Sequence, residues 1–167
     1  PMVWMLWAFI SLSSTASASD SQTWEEWDGP PVKWKGPRPE EGAHIMEKLL
    51  YGHLSAGNAY MEEGKLDEAI SEYQQALKIA PNDLSAHLNL GIAYQKKELW
   101  DQAIAEYEKT IQLAPDLTAA HHNLGLTYWK KGQHKEAIAE LEKTIRLEPD
   151  KADGHANLGL VYLSQGT

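Results

Sequence analysis

Histidine is the residue of this sequence with the most obvious chemical potential, because imidazole can bind metal ions or transfer protons. The chain contains seven. Four of them recur at intervals of 34 residues, at His53, His87, His121 and His155. If each lies on its own helix, neighbouring copies are about 8–10 Å apart and cannot share one ion through bonds of about 2 Å. We interpret them as packing residues and predict neither a metal site nor a cofactor.

Motifs that support catalysis are missing. The sequence contains no G-x-S-x-G elbow, no P-loop and no dinucleotide-binding glycine run. Its carboxylates follow spacings typical of solvated helix faces, and none forms a pair that we assign as general acid and base. We predict that the chain is not an enzyme.

The charge balance restricts the partners. The chain has 15 Lys and Arg against 24 Asp and Glu, a formal charge of −9. Phosphate binding requires a basic surface, so we expect no nucleic-acid partner and no binding to an anionic membrane surface. The absence of Cys excludes disulfides and Cys-ligated metals. We therefore expect protein partners.

The N-terminus is apolar over residues 2–12 and is followed by small residues, with Ala16-Ser17-Ala18 as an A-x-A site. Residues 1–18 thus resemble a secretory signal peptide, although no basic residue precedes Lys33. The alternative is a retained membrane anchor. Eleven residues are too few to span a bilayer, which takes about 20, but aromatic side chains suit a membrane interface. The residues concerned are Trp4, Trp7 and Phe9.

Both interpretations predict an extracytoplasmic protein, in the periplasm, secreted or in an organelle lumen. They limit membrane contact to residues 1–12. Residues 19–42 contain four Pro, three Gly and no helical or strand period, which predicts an extended arm. Trp24, Trp27 and Trp34 predict that this arm packs on a partner or on the rest of the chain.

Residues 43–167 are organised by the period of 34 residues. Internal similarity at a fixed period is typical of repeat architectures. The recurring residues are Pro81, Pro115 and Pro149; Ala69, Ala103 and Ala137; Gly57, Gly91, Gly125 and Gly159; and Tyr60, Tyr94, Tyr128 and Tyr162.

This pattern resembles the tetratricopeptide repeat, a helix–turn–helix unit with the motif W-x2-L-G-x2-Y…A-x3-F…P. One copy reads His121-x2-Leu124-Gly125-x2-Tyr128, then Ala137-x3-Leu141 and Pro149. The resemblance implies an all-α solenoid of antiparallel helix pairs. Three full repeats would occupy 50–83, 84–117 and 118–151, followed by the first helix of a fourth at 152–167.

The repeats predict the positions of the helices. First helices are expected near 43–63, 84–97, 118–131 and 152–165, and second helices near 67–79, 101–113 and 135–147. The residue after each repeat-closing proline can cap the next helix. The candidates are Asn82, Asp116 and Asp150.

In this family the first helices line a concave face, so the resemblance implies a groove that binds a partner peptide or helix. The predicted groove residues are Asn58, Leu88, Asn89, Ile92, His122, Asn123, Leu126, Trp129, Asn157 and Leu160. Trp129 is the candidate hot-spot anchor, because a Trp is costly to leave bare on an open helix face.

The row Asn89, Asn123, Asn157 is similar to the asparagine ladder of the O-linked N-acetylglucosamine transferase repeats, which hold peptide main chain. The alternative is that these side chains bond the backbone of a neighbouring repeat. Repeats that clamp the C-terminal carboxylate of heat-shock chaperones use three cations. Here Leu54, Ala119 and Asn123 stand in those places, so we predict no such clamp.

The leading hypothesis is a non-enzymatic interaction scaffold, an envelope or lumenal accessory or assembly subunit of a membrane-associated complex. The truncated fourth repeat leaves two alternatives open. One is the substrate-recruiting repeat region of a longer enzyme. The other is a structural repeat protein that associates with itself.

Overall fold

A computed structural model describes residues 39–165 of the chain. This part contains seven helices and no strand, so the all-α prediction is confirmed. The helices are α1 (Pro39–Glu62), α2 (Leu66–Ile79), α3 (Leu84–Lys96), α4 (Trp100–Leu113), α5 (Thr118–Lys130), α6 (His134–Leu147) and α7 (Ala152–Gln165).

The predicted signal peptide or anchor and the predicted arm contacts lie outside the described residues. The side chains concerned are Trp4, Trp7, Phe9, Trp24, Trp27 and Trp34. Within the described range, no helix is both long enough and apolar enough to cross a membrane.

The helices form antiparallel pairs that stack in chain order. Each helix packs on the next one along the chain, and α1, α3, α5 and α7 also touch in succession. The first helices of the pairs therefore line one face of the stack, as expected for a solenoid. This arrangement puts the helices that carry the predicted groove residues next to one another.

The predicted helix bounds agree with the structure to within a residue or two at nearly every end. The exception is α1, which begins at Pro39, four residues before the expected start. Proline suits the first turn of a helix, because its missing N–H would have had no intrahelical partner. The last four residues assigned to the extended arm are therefore helical.

The predicted caps of α3 and α5 were wrong, and Asp150 stays a prediction. Helix α3 is capped by Asp83, whose Oδ1 accepts a hydrogen bond of 2.8 Å from the amide of Ala86. Helix α5 has Leu117 at its N-cap and no side-chain cap. Asn82 and Asp116 each lie one residue too early, because the N-cap is the residue directly before the helix, two residues after the proline.

The turns within the helix pairs use the left-handed backbone region. Gly64 has φ 74° and Gly132 has φ 84°, and the corresponding Glu98 has φ 60°. In each turn the amide of the residue that follows this one donates a hydrogen bond of 2.8–2.9 Å. The acceptor is the carbonyl of the tyrosine five residues before the donor. These six-to-one bonds are those of a Schellman motif, which ends a helix with a residue at positive φ.

Glycines on the first helices allow the paired helices to approach closely. A Cβ at Gly91 would lie 2.6 Å from the Tyr107 ring, and one at Gly125 would lie 2.9 Å from Cγ of Leu141. The tyrosine and the leucine are fully buried, as is the alanine four residues before each. The repeated Gly and Ala thus have a steric cause, because the large side chain fills the space between the helices.

Ion pairs repeat along one edge of the stack. Lys97 Nζ contacts Asp67 Oδ1 in the preceding helix pair. In the same way, Lys131 Nζ lies 2.5 Å from Asp101 Oδ1. Both pairs join residues that are 30 positions apart. Successive repeats are therefore joined in the same register.

Candidate functional site

The groove contains a depression of about 290 Å³ between α1 and the start of α3. Its two asparagines belong to one hydrogen-bond network. Asn58 Oδ1 accepts two hydrogen bonds, one of 2.7 Å from the Tyr73 hydroxyl and one of 3.1 Å from Asn89 Nδ2. The network thus joins the first repeat to the second. The depression is lined by Tyr51, Leu54, Ser55, Asn58, Ser85 and Asn89.

This depression is neutral and rich in hydrogen-bonding groups. Once Asn58 Oδ1 has accepted its two bonds, the amino group of that side chain remains as a donor and the carbonyl of Asn89 remains as an acceptor. The hydroxyls of Ser55 and Ser85 add groups that both donate and accept. Tyr51, 74% exposed, provides an aromatic surface at the same place. The site can therefore satisfy donors and acceptors of a neutral ligand.

The middle of the groove is more tightly packed than the sequence indicated. Leu88 and Ile92 are half-buried against the core cluster that contains Tyr107 and Leu124. Leu126 is half-buried as well. Part of the area of these predicted groove residues is therefore used for packing between repeats and is not open to a partner.

The asparagine row behaves differently at each position. Asn89 bonds the side chain of Asn58, and Asn157 Nδ2 lies 3.5 Å from His122 Nε2. Asn123 is half-buried, and in residues 42–164 its side chain makes no hydrogen bond that meets ordinary geometric limits. The two bonded asparagines contact side chains of the preceding repeat, and not its backbone as in the alternative above.

His122 is the titratable group inside the groove. Burial lowers its pKa from 6.5, while Asp153 acts in the opposite direction and Lys151 adds to the lowering. A neutral imidazole can accept from the amino group of Asn157 through Nε2, whereas the protonated ring cannot. Donation from Asn157 to this nitrogen therefore requires an unprotonated His122.

Trp129 is partly covered. Its ring packs on the cluster of Ala137, Leu141 and Val161. Its Nε1 donates a hydrogen bond of 3.2 Å to Ser164 Oγ. Lys130 Nζ lies 5.0 Å from the ring centroid. Trp129 is therefore not bare, and its role as an anchor for a partner stays a prediction. Leu160, at the end of the predicted groove, is 47% exposed.

Two of the repeated histidines, His87 and His121, each contact two hydrogen-bond acceptors. His87 Nδ1 lies 2.6 Å from Glu106 Oε2, and its Nε2 lies 3.0 Å from the carbonyl oxygen of Pro81. His121 makes the corresponding contacts to Glu140 at 2.7 Å and to Pro115 at 2.8 Å. Each imidazole thus joins its own second helix to the turn that closes the preceding repeat.

Sequence analysis missed the partners of these histidines. A glutamate follows His53, His87 and His121 by 19 residues in each case, and this second spacing was visible in the sequence. Over the described range, no three His, Asp or Glu side chains are grouped so that they could hold a metal ion.

The fold and the repeated contacts define a class of protein, a helical-repeat solenoid whose first helices touch in succession. Two sequence profiles identify the family. One, described as TPR repeat, matches residues 57–98, and the other, described as Tetratricopeptide repeat, matches residues 82–150. Together they span more than half of the chain, which belongs to the tetratricopeptide repeat family.

Solved structures with the same fold support this assignment. The first TPR of Spaghetti (RPAP3), bound to an HSP90 peptide, is 22% identical with a TM-score of 0.69, covering 72% of this chain and 95% of that one. The Arabidopsis OM64 TPR domain is 19% identical with a TM-score of 0.68, covering 71% and 98%.

A third structure is the second TPR domain of human RPAP3 in complex with an HSP70 peptide. It is 21% identical with a TM-score of 0.67, and the match covers 70% of this chain and 98% of that one. At these identities the likeness establishes the fold. No curated protein sequence matches the chain significantly.

Proposed function

We propose that this protein is a non-enzymatic interaction scaffold whose groove binds a neutral, extended segment of a partner protein. The observation that carries the proposal is the depression around Asn58 and Asn89. It offers carboxamide and hydroxyl groups of both polarities beside an exposed aromatic ring. Peptide main chain presents alternating N–H and C=O groups, and these side chains suit them.

The absence of cations at the clamp positions supports a neutral ligand. Leu54 lines the depression in place of a cation, while Ala119 and Asn123 stand at the other two clamp positions. A buried carboxylate needs charged or multiple donors. The chaperone peptides bound by two of the similar structures belong to those proteins. For this chain we propose an internal peptide segment, without a terminal carboxylate.

The cellular setting is part of the proposal. The apolar residues 2–12, the A-x-A site and the tryptophans of the arm support an extracytoplasmic scaffold that is delivered or tethered by its N-terminus. In this role the protein is an accessory or assembly subunit of a membrane-associated complex. Sequencing the N-terminus of the protein purified from its native membranes distinguishes a cleaved signal peptide from a retained anchor.

The groove is tested by site-specific photo-crosslinking in the native cells. A photoreactive phenylalanine analogue replaces Tyr51 in the depression or, as a control, the exposed Lys135 on α6. We expect a discrete protein adduct from position 51 and none of the same mass from position 135. Adding Asn89→Ala to the first variant should remove most of the adduct, because one side of the carboxamide pair is lost.

The double variant must keep the helical circular-dichroism spectrum of the parent chain. Asn89→Ala suits this requirement because Asn58 retains its bond from Tyr73. Equal adducts from both positions, or an adduct that Asn89→Ala leaves unchanged, would refute the groove proposal.

A further inference from the structure

Tyr51 is the large apolar side chain with the highest exposed fraction in the described part of the chain, at 74%. It lines the depression on α1 together with Leu54, which lies one helical turn later. Packing between repeats does not require an aromatic ring at this position, because the equivalent residues of the next two repeats are Ser85 and Ala119. An exposed ring in a groove that packing does not explain is typical of a contact to a ligand.

The carboxamides of the depression offer more hydrogen-bond donors than acceptors. Asn58 Oδ1 uses both of its lone pairs, for the Tyr73 hydroxyl and for Asn89 Nδ2. Of the four N–H groups on Asn58 and Asn89, one makes that second bond, and the other three make none among the described residues. Only the carbonyl oxygen of Asn89 remains as a carboxamide acceptor. The best complement is therefore a ligand segment with more C=O than N–H groups.

Proline gives a peptide segment this excess of C=O groups. A proline residue keeps its carbonyl but has no N–H, so it leaves no donor without a partner in the depression. Proline-rich segments adopt the extended polyproline II helix, which has no internal hydrogen bonds. They bind aromatic-lined grooves because they are already ordered before binding. The depression matches them in charge as well, since no Lys, Arg, His, Asp or Glu lines it.

We propose that the depression is the subsite for a proline-rich stretch of the partner protein, bound as a polyproline II helix. A proline ring packs on Tyr51 and Leu54, and carbonyls of the stretch accept hydrogen bonds from the free N–H groups of Asn58 and Asn89. The inference rests on the proposed function, because it specifies which kind of neutral, extended segment the groove binds. It assigns the selection of that segment to the α1 end of the groove.

The preference for proline is tested with the full chain and two peptides that carry the same fluorescein label. Each has about ten uncharged residues, of which one peptide has mainly proline and the other alternates serine and glutamine. Fluorescence anisotropy gives the Kd, and the side-chain amide signals of Asn58 and Asn89 in NMR spectra give the location. We expect the proline peptide to bind about tenfold or more tightly than the other and to shift both amide signals.

Three substitutions on α1 test the contact with the ring. Tyr51→Ala should weaken binding of the proline peptide by about tenfold, whereas Tyr51→Phe keeps the ring and should retain the affinity to within about twofold. Leu49→Ala is the control, because Leu49 is a 47% exposed apolar residue of the same helix that does not line the depression. It should leave the affinity unchanged. All three variants should keep the circular-dichroism spectrum of the parent chain.

The outcomes separate this inference from the proposed function. Equal affinities for the two peptides, both with shifts at Asn58 and Asn89, would overturn the preference for proline and leave the groove proposal standing. Binding of the proline peptide that Tyr51→Ala does not weaken would also overturn it. If neither peptide binds, the inference fails, and the photo-crosslink from position 51 decides the groove proposal separately.

Discussion

At the scale of single residues, His122 couples the groove to pH. Burial keeps its pKa below 6.5 in the folded chain, so the folded state binds a proton less readily than the unfolded state. The stability contributed by this residue is present above pH 6.5 and is lost as the pH falls through the lower folded value. Acid therefore weakens the contact between His122 and Asn157.

We predict that His122→Gln reduces the sensitivity to acid. A glutamine amide has no proton to gain and can still accept from Asn157. Urea unfolding of both chains at about pH 7.5 and about pH 5.5 measures the effect. The original chain should lose more free energy of unfolding than the variant between these pH values. Equal losses in the two chains would show that His122 does not contribute.

The carboxamides show why the groove could be predicted only in part. The recurrence of Asn89, Asn123 and Asn157 predicted a row of equal members. In the structure Asn89 pairs with Asn58, 31 residues away, and Asn157 with His122, 35 residues away. The side chains that meet across neighbouring repeats are determined by how far one helix is shifted along the next. The sequence period of 34 residues does not give this shift.

At the scale of elements, the turn within the second helix pair is strained. Glu98 has φ 60° at the position that Gly64 and Gly132 occupy in the other pairs. A side chain in this region costs about 1–2 kcal/mol, because Cβ crowds the following carbonyl. Glycine removes that cost and adds a smaller loss of chain entropy of about 0.5–1 kcal/mol.

We therefore predict that Glu98→Gly stabilises the chain by about 0.5–1 kcal/mol. The matched change in the opposite direction, Gly132→Ala, should destabilise it by about 1 kcal/mol. Midpoints of urea unfolding for the two variants and the parent chain measure both effects. A lower midpoint for Glu98→Gly would mean that the glutamate makes a stabilising contact in this turn.

The helices themselves were predictable because their signals are local and repeated. Glycine, alanine, tyrosine and proline recur at one interval, and each has a packing or terminating role that the structure bears out. The caps were less predictable, since moving the turn by one residue transfers the cap from Asn82 to Asp83. The packing of Leu88 and Ile92 depends on the neighbouring first helix, which lies a whole repeat away in sequence.

At the scale of the whole molecule, three tyrosines with raised pKa values are distributed through the stack. Burial raises the pKa of Tyr73 and of Tyr128 to about 12, and raises that of Tyr107 still further. Tyr73 lies in the first core cluster, Tyr107 in the second, and Tyr128 packs on the second and third. Ionisation is thus opposed along most of the array.

We predict that the solenoid unfolds at alkaline pH. A raised pKa contributes stability that is complete below the unfolded value of about 10 and is lost as the pH rises through the folded value. Far-ultraviolet circular dichroism across this range follows the transition. Tyr73→Phe should be less stable at neutral pH, because the bond to Asn58 is lost, and should show a smaller decline above pH 10. An identical decline would exclude a contribution from Tyr73.

The ion pairs between successive repeats have a consequence for the history of the gene. Lys97 with Asp67 and Lys131 with Asp101 join repeats through the same register. A duplicated copy of the second repeat, residues 84–117, would bring with it one half of each such pair, Lys97 and Asp101, together with Gly91 and Tyr107. It would therefore meet complementary surfaces on both sides and create no mismatched junction. Duplication or loss of this repeat can thus lengthen or shorten the protein by a whole unit while the ion pairs between the remaining repeats keep their register.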